Sequence, residues 1–194
     1  TVTATNTIGT STASAASNSV TIDIFIPNVT STTNRIWMDR NLGATQVATS
    51  STDAASYGYW YQWGRDTDGH QNRSSTTIQI TATSATAGHG KFITPGSATN
   101  YNWTNYVSEN DLWQSGLNDP CPKGYRIPTI TELVDESDDW SGSDTATAAY
   151  NSPLKLPLAG YRLFYNVLPS NVGSYGYYWA STVSSASARY LYFN

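Results

Sequence analysis

Acyl-transfer chemistry needs a nucleophile beside a base, and only two histidines could serve, His70 and His89, each in a polar stretch rich in glycine. No Gly-x-Ser-x-Gly elbow accompanies them. Both are therefore read as solvated loop residues. Cys121, the single cysteine, lies between Pro120 and Pro122 and is read as a buried small hydrophobe. It can form no intrachain disulfide, and with two distant histidines it falls short of a structural zinc site. Asp66-Thr-Asp-Gly places two carboxylates two residues apart, but an EF-hand loop starting there would need Gly at Gln71 and Glu at Thr77. That segment is read as a turn. Asp135, Glu136, Asp138 and Asp139 crowd the end of a predicted helix and are assigned to its solvent face. No catalytic residue, metal or cofactor is expected. A hydrolase using paired carboxylates stands as a minor alternative, because the spacing singles out no pair.

The more informative residues are tyrosines. Of 14 Tyr, seven (Tyr161, Tyr165, Tyr175, Tyr177, Tyr178, Tyr190 and Tyr192) fall in the last 34 residues, interleaved with Ser, Asn and Gly. Recognition loops use this mixture, since Tyr brings contact area at low entropic cost and the small polar residues adapt their hydrogen bonds. Too many of these rings are consecutive or one apart for all to enter a core. A partly exposed aromatic face, hence a binding face, is predicted.

The elements that must carry such a face are short. Only 12% of the 194 residues are charged, against roughly 25% in an average domain, while Thr, Ser and Asn number 27, 24 and 15. The surface is polar without being ionic. With a net charge of -4 and Lys and Arg scattered singly, no basic stripe is available for nucleic acid or an anionic membrane. No apolar run approaches the roughly 20 residues of a membrane-spanning helix. Aromatic runs at Arg35–Arg40 and Tyr57–Trp63 and the alternation of Ile78, Ile80 and Ala82 predict strands. One helix is well signalled. Thr129 and Glu132 have capping-box spacing behind Pro128, with Ile130, Leu133 and Val134 on one face and Trp140 beyond. A weaker start signal stands at Ser50 to Asp53. Sparse helix among short strands and long connections predicts an α+β domain.

Ahead of Pro27, Val2 and Ala4 and then Val20, Ile22, Ile24 and Ile26 alternate with period two around a turn at Asn6 to Gly9. Residues 1–27 resemble the closing strands of a bacterial immunoglobulin-like repeat, with a polar linker as the alternative. Because Thr1 opens in mid-pattern, an upstream tandem domain is expected. A second domain is assigned to residues 28–194.

Five ordered segments of that second domain resemble the Fibrobacter major-paralogue domain: Arg35-Ile-Trp-Met-Asp-Arg-Asn-Leu-Gly-Ala-Thr, Tyr57-Gly-Tyr-Trp-Tyr-Gln-Trp-Gly, Asn118-Asp-Pro-Cys-Pro-Lys-Gly-Tyr-Arg-Ile-Pro-Thr, Leu156-Pro-Leu-Ala-Gly-Tyr-Arg and Tyr178-Trp-Ala-Ser-Thr. The resemblance implies a C-type lectin-like fold: a short antiparallel sheet, about two helices and long irregular loops bearing a ligand face. The disulfides and calcium motifs of vertebrate lectins, and the catalytic cysteines of formylglycine-generating enzymes, are not matched. Neither activity is implied.

A narrower resemblance is to the variable proteins of diversity-generating retroelements, which carry hypermutated residues at the C-terminus of this fold. Randomised adenines there turn AAY codons into NNY codons, which encode Tyr, Ser and Asn but never Lys, Glu, Gln, Met or Trp. Residues 161–194 contain no Lys, Glu, Gln or Met. Trp179 falls in the fixed Tyr-Trp-Ala-Ser-Thr segment. The resemblance implies a non-enzymatic receptor-recognition protein of prokaryotic origin, outside the cell on a cell or virion surface. Its partner would be a protein on a target cell or virus, with no nucleic acid bound and no direct membrane insertion. The variable, ligand-binding residues would be Tyr165, Asn166, Ser170, Asn171, Ser174, Tyr175, Tyr177, Ser184, Ser187, Tyr190 and Tyr192. Leu163, Phe164, Val167, Leu168 and Val172 are read as core, with variable positions as the alternative, and Arg126, Arg162 and Arg189 as scaffold donors to loop carbonyls. The competing binding module is a carbohydrate receptor with a fixed aromatic site.

Overall fold

Runs of aromatic and β-branched residues broken every few positions by Gly, Asn, Pro or Ser yield short strands. The computed structural model describes residues 5–6, 9–10, 26–95, 102–106, 111–140, 145–165, 168–185 and 187–194. Among them are strands β1 (Thr5–Asn6), β2 (Gly9–Thr10), β3 (Asn28–Thr30), β4 (Ile36–Met38), β5 (Thr77–Ile78) and β6 (Phe92–Ile93). Helices α1 (Leu112–Ser115), α2 (Ile130–Asp138) and α3 (Ala146–Asn151) follow, and then β7 (Tyr161–Arg162), β8 (Pro169–Ser170), β9 (Gly176–Ser184) and β10 (Ser187–Phe193). The strands form five two-stranded sheets. Four are antiparallel, β1 with β2, β3 with β4, β7 with β8 and β9 with β10, and β5 with β6 is parallel. The architecture is α+β, with few helices, short sheets and long connections.

Helix α2 starts as its sequence directs. Thr129 accepts a hydrogen bond from the Glu132 amide at 3.3 Å, and the Glu132 carboxylate accepts from the Thr129 amide at 2.8 Å. The helix start is fastened to β9, where the Ile130 amide donates to Thr182 Oγ1 and the Ser181 amide donates to the Pro128 carbonyl. Leu133 and Trp140 are buried and Ile130 packs beside them. Val134, expected on the same face, is exposed instead, because the buried stripe runs through Leu133, Glu136 and Ser137.

The acidic cluster needs a correction at Glu136. Its carboxylate is 2% exposed and accepts hydrogen bonds from Ser31 Oγ (2.7 Å), Thr33 Oγ1 and Trp37 Nε1 (3.1 Å). Asp135 pairs with Arg35 at 2.7 Å with its side chain still 43% exposed, and Asp138 and Asp139 face solvent. Buried anions persist where donors replace the lost water, and three donors do so here. The β3 and β4 pair is thereby tied to α2.

His70 also departs from expectation. It is fully buried, accepting from the Gln62 amide at Nε2 (3.0 Å) and bonding Asp68 through Nδ1 (2.7 Å). The same carboxylate holds Arg65, itself 1% exposed, which also reaches the carbonyls of His89 and Lys91. Polar composition concealed this network, since a loop crossing the interior must bury polar groups and satisfy them.

Three other segments are less regular than their sequence patterns. Tyr57–Trp63 forms no strand but runs as a loop stapled by the Tyr59 amide to Leu42 O and the Trp60 amide to Gln71 O. At Thr76–Ala82, β5 covers two residues, Ile80 is exposed, and Ala82 makes a lone bridge to Thr104. The start signal at Ser50–Asp53 yields a single 3-10 turn, Ala54–Ser56, capped by Asp53.

Indoles take the place of disulfides as cross-links between distant loops. Trp60 donates to Ala159 O (3.2 Å), Trp63 to Ala180 O (2.7 Å), Trp103 to Trp63 O (2.8 Å) and Trp179 to Tyr61 O (3.0 Å). Each ring contributes apolar area and one polar link, Trp60 and Trp103 from buried positions, Trp63 half-buried and Trp179 partly exposed. One core cluster joins α2, α3 and the inner side of β9 and β10 through Leu133, Trp140, Ala149, Leu158, Ala180, Leu191 and Phe193. A second gathers Ala82, Ile93, Trp103 and Leu112.

Candidate functional site: the aromatic face of the terminal hairpin

The β9 and β10 hairpin sorts the C-terminal tyrosines by parity. Successive strand residues point to opposite faces, and the register pairs Tyr190 with Trp179, Leu191 with Tyr178, Tyr192 with Tyr177 and Phe193 with Gly176. Tyr178, Ala180, Leu191 and Phe193 enter the core cluster. The Tyr178 ring stacks on Phe193 (5.7 Å, 11°), and its hydroxyl donates to Pro157 O at 2.7 Å. Gly176 is required opposite Phe193, because a Cβ at that position would lie 2.3 Å from the ring.

The opposite face carries Tyr177, Trp179, Tyr190 and Tyr192, joined by Tyr175 from the turn before β9. Tyr177 is the hub. Its ring lies 4.7 Å from Tyr161, 5.3 Å from Tyr190, 5.0 Å from Tyr192 and 6.4 Å from Tyr175. Tyr175 stacks on Tyr192 at 5.6 Å, and Trp179 meets Tyr190 edge-on at 5.7 Å. Tyr190 remains 48% exposed and Tyr192 39%. Trp179, also partly exposed, has its N–H committed to the Tyr61 carbonyl, so its indole is held by the scaffold. The Tyr177 phenol is pushed above its ordinary value by burial and then by the surrounding phenols, and Tyr192 shifts the same way. No acidic residue occurs from 161 to 194.

The other sequence-derived site residues distribute around this cluster. Asn171, exposed with φ of 53°, donates from Nδ2 to the Tyr161 hydroxyl at 3.1 Å, which brings it to the cluster's border. Ser170 pairs with Tyr161 in β7 and β8, and Ser174 is exposed in the turn leading to Tyr175. Ser184 and Ser187 face each other at the far end of the hairpin, both exposed; five residues of strand separate Ser187 from Tyr192, about 17 Å. Tyr165 is 67% exposed and contacts Phe164 at 4.7 Å, and among the described residues its ring meets none of the tyrosine cluster. Asn166 and Val167 lie outside the described residues. Leu168 and Val172, read as core, are exposed at 63% and 40%, since both sit in turns beyond the reach of either core cluster.

Tyr161 is the principal omission from the sequence-derived site. It stands in the Leu156–Arg162 segment, whose pattern suggests scaffold, and nothing local to it signals that β7 lies beside the hairpin. Of the three arginines assigned to the scaffold, Arg126 forms a two-bond pair with Glu132 (2.9 and 2.6 Å) and Arg162 donates to Ser75 Oγ and O, both at 2.9 Å. Arg189 requires correction: it is exposed at the register shift of β10, and its guanidinium bonds nothing among the described residues.

A cavity of about 1400 Å³ borders the hairpin, with Tyr161, Tyr177, Trp179 and Tyr190 on one part of its wall and Tyr59, Tyr61 and Trp113 on another. Among the described residues Glu132 is the one carboxylate in its lining, and Arg126 already holds it. Among the described residues no group of three His, Cys, Asp or Glu side chains could hold a metal ion, and no helix is long and apolar enough to cross a membrane. Comparison of the chain with protein-family models, with curated proteins and with solved structures finds no match.

Proposed function

We propose that residues 28–194 form a C-type lectin-like ligand-binding domain without enzymatic activity. Its recognition surface is the Tyr175, Tyr177, Tyr190 and Tyr192 face, which in this reading a retroelement diversifies toward varied protein targets. The observation that carries the proposal is the division of the terminal hairpin into an inner face of core residues and an outer face of clustered, part-exposed tyrosines. A surface so built can change at every outer position while the inner positions keep the fold, which is what a diversified binder requires. Tyrosines clustered in the open also supply the aromatic anchors on which protein interfaces depend. The proposal places the domain outside the cell, on a cell or virion surface, behind an upstream immunoglobulin-like segment.

The test compares wild type with a variant carrying Tyr175→Ser, Tyr177→Ser, Tyr190→Ser and Tyr192→Ser on an array of extracellular proteins and on a glycan array. The proposal requires protein hits that the variant loses and an empty glycan array. Glycan hits lost by the variant would favour a carbohydrate receptor instead. Hits unchanged in the variant would remove this face from the function.

A further inference from the structure

We propose that Arg162 is the anion-binding element of this recognition site and takes the carboxylate of an Asp or Glu side chain from the bound polypeptide; this rests on the aromatic-face reading above. Four arginines line the cavity beside the hairpin. Arg35 is neutralised by Asp135, Arg40 by Asp39 and Arg126 by Glu132, whereas Arg162 has no carboxylate partner among the described residues. Burial lowers its pKa from the ordinary arginine value.

The guanidinium geometry says which edge is unpaired among the described residues. A guanidinium presents one pair of N–H groups at its end, from Nη1 and Nη2, and a second pair at its side, from Nε and Nη2. Ser75 occupies the end pair, with Nη1 donating to Oγ and Nη2 to the carbonyl, both at 2.9 Å. The Nε–H on the side edge is buried and has no acceptor among the described residues. Phe92 lies under the plane at 4.2 Å, which fixes its orientation. An oriented cation with one two-pronged edge unused matches the two oxygens of a carboxylate, the acceptor that arginine binds best in this manner. An unpaired buried donor is costly, so a ligand that supplies the acceptor recovers that cost on binding.

Placement puts Arg162 beside the recognition site. Tyr161, the neighbour of Arg162 in β7, touches the hub residue Tyr177, and Arg162, Tyr161 and Tyr177 all line the same cavity. Apart from Arg189, Arg162 is the only charged residue between 161 and 194. An otherwise neutral aromatic face thereby acquires one fixed preference, an acidic side chain placed beside an apolar or aromatic one.

The test follows the Arg162 Nε–Hε resonance of the 15N-labelled protein during titration with acetate and, separately, with acetamide. The inference requires a saturable shift with acetate at millimolar concentration and at least a tenfold weaker response to acetamide. In Arg162→Gln the acetate response of neighbouring Phe92 and Tyr161 signals should vanish, and in Arg162→Lys, which keeps charge but not the fork, it should weaken at least tenfold. No acetate response, an equal response to acetamide, or an unaltered response in Arg162→Lys would each overturn it. Because acetate needs no contact with the tyrosines, the outcome is independent of the array experiment: failure there with a positive titration removes the aromatic-face reading and leaves the carboxylate site standing.

Discussion

Exchanging residues one position apart on β10 should have very different costs. Phe193 is fully buried, meets Trp140 edge-on at 5.5 Å and stacks on Tyr178 at 5.7 Å. Phe193→Ala removes a core aromatic ring and leaves a cavity, which costs about 3–5 kcal/mol. Tyr192 is 39% exposed and meets the rings of Tyr175 and Tyr177. Aromatic pairs are worth about 0.5–1.5 kcal/mol beyond area burial, so Tyr192→Ser should cost about 1 kcal/mol. With a urea slope of about 2 kcal/mol per molar, the unfolding midpoint moves by about 2 M for Phe193→Ala and by about 0.5 M for Tyr192→Ser. Gly176→Ala, which drives a methyl into the Phe193 ring, should resemble Phe193→Ala. Equal shifts for Phe193→Ala and Tyr192→Ser would refute the division of the hairpin into a scaffold face and a free face.

Three further outcomes follow from the buried polar groups. Burial, with Arg65 second, lowers the His70 pKa from 6.5 to about 4; the unfolded chain therefore binds the extra proton first, and stability is complete above about pH 6.5 and falls as pH drops toward about 4, by about 3 kcal/mol. Urea midpoints measured from pH 7.5 to 4 should show this loss, with the slope reduced in His70→Gln. Glu136→Ala leaves Ser31, Thr33 and Trp37 donors without their acceptor and should cost about 3 kcal/mol in the same assay, with Glu136→Gln costing less. Burial, followed by the nearby Asp119 carboxylate, pushes the Cys121 thiol well above its ordinary range. Iodoacetamide at pH 8 should accordingly modify it slowly in the native protein and readily in urea, and equal rates would contradict the assignment.

The sequence made some of this legible and hid the rest for identifiable reasons. The start of α2 could be read because a capping box is a local device, complete within Thr129–Glu132. The overcrowding of tyrosines was legible as composition, whereas which of them face outward depends on strand register: Tyr177 and Tyr178 are neighbours in sequence yet end on opposite faces. Tyr161 was missed since its partner Tyr177 is 16 residues away and the contact follows from tertiary packing. Glu136 and His70 look like surface residues by type, and their burial rests on donors and acceptors brought from Ser31, Trp37, Gln62 and Asp68 by the fold. Loop-rich chains place much of their interior in such non-local arrangements, which periodicity does not report.

The central claim, that the outer face of the terminal hairpin is a diversified recognition surface on a constant scaffold, is tested most directly by sequencing codons 161–194 from many individuals of one population carrying this gene. The account predicts substitutions concentrated at outer and turn positions such as Tyr175, Tyr177, Tyr190 and Tyr192, in codons of NNY form, with Tyr178, Ala180, Leu191 and Phe193 unchanged. Uniform codons throughout, or substitutions shared equally between the two faces, would contradict it.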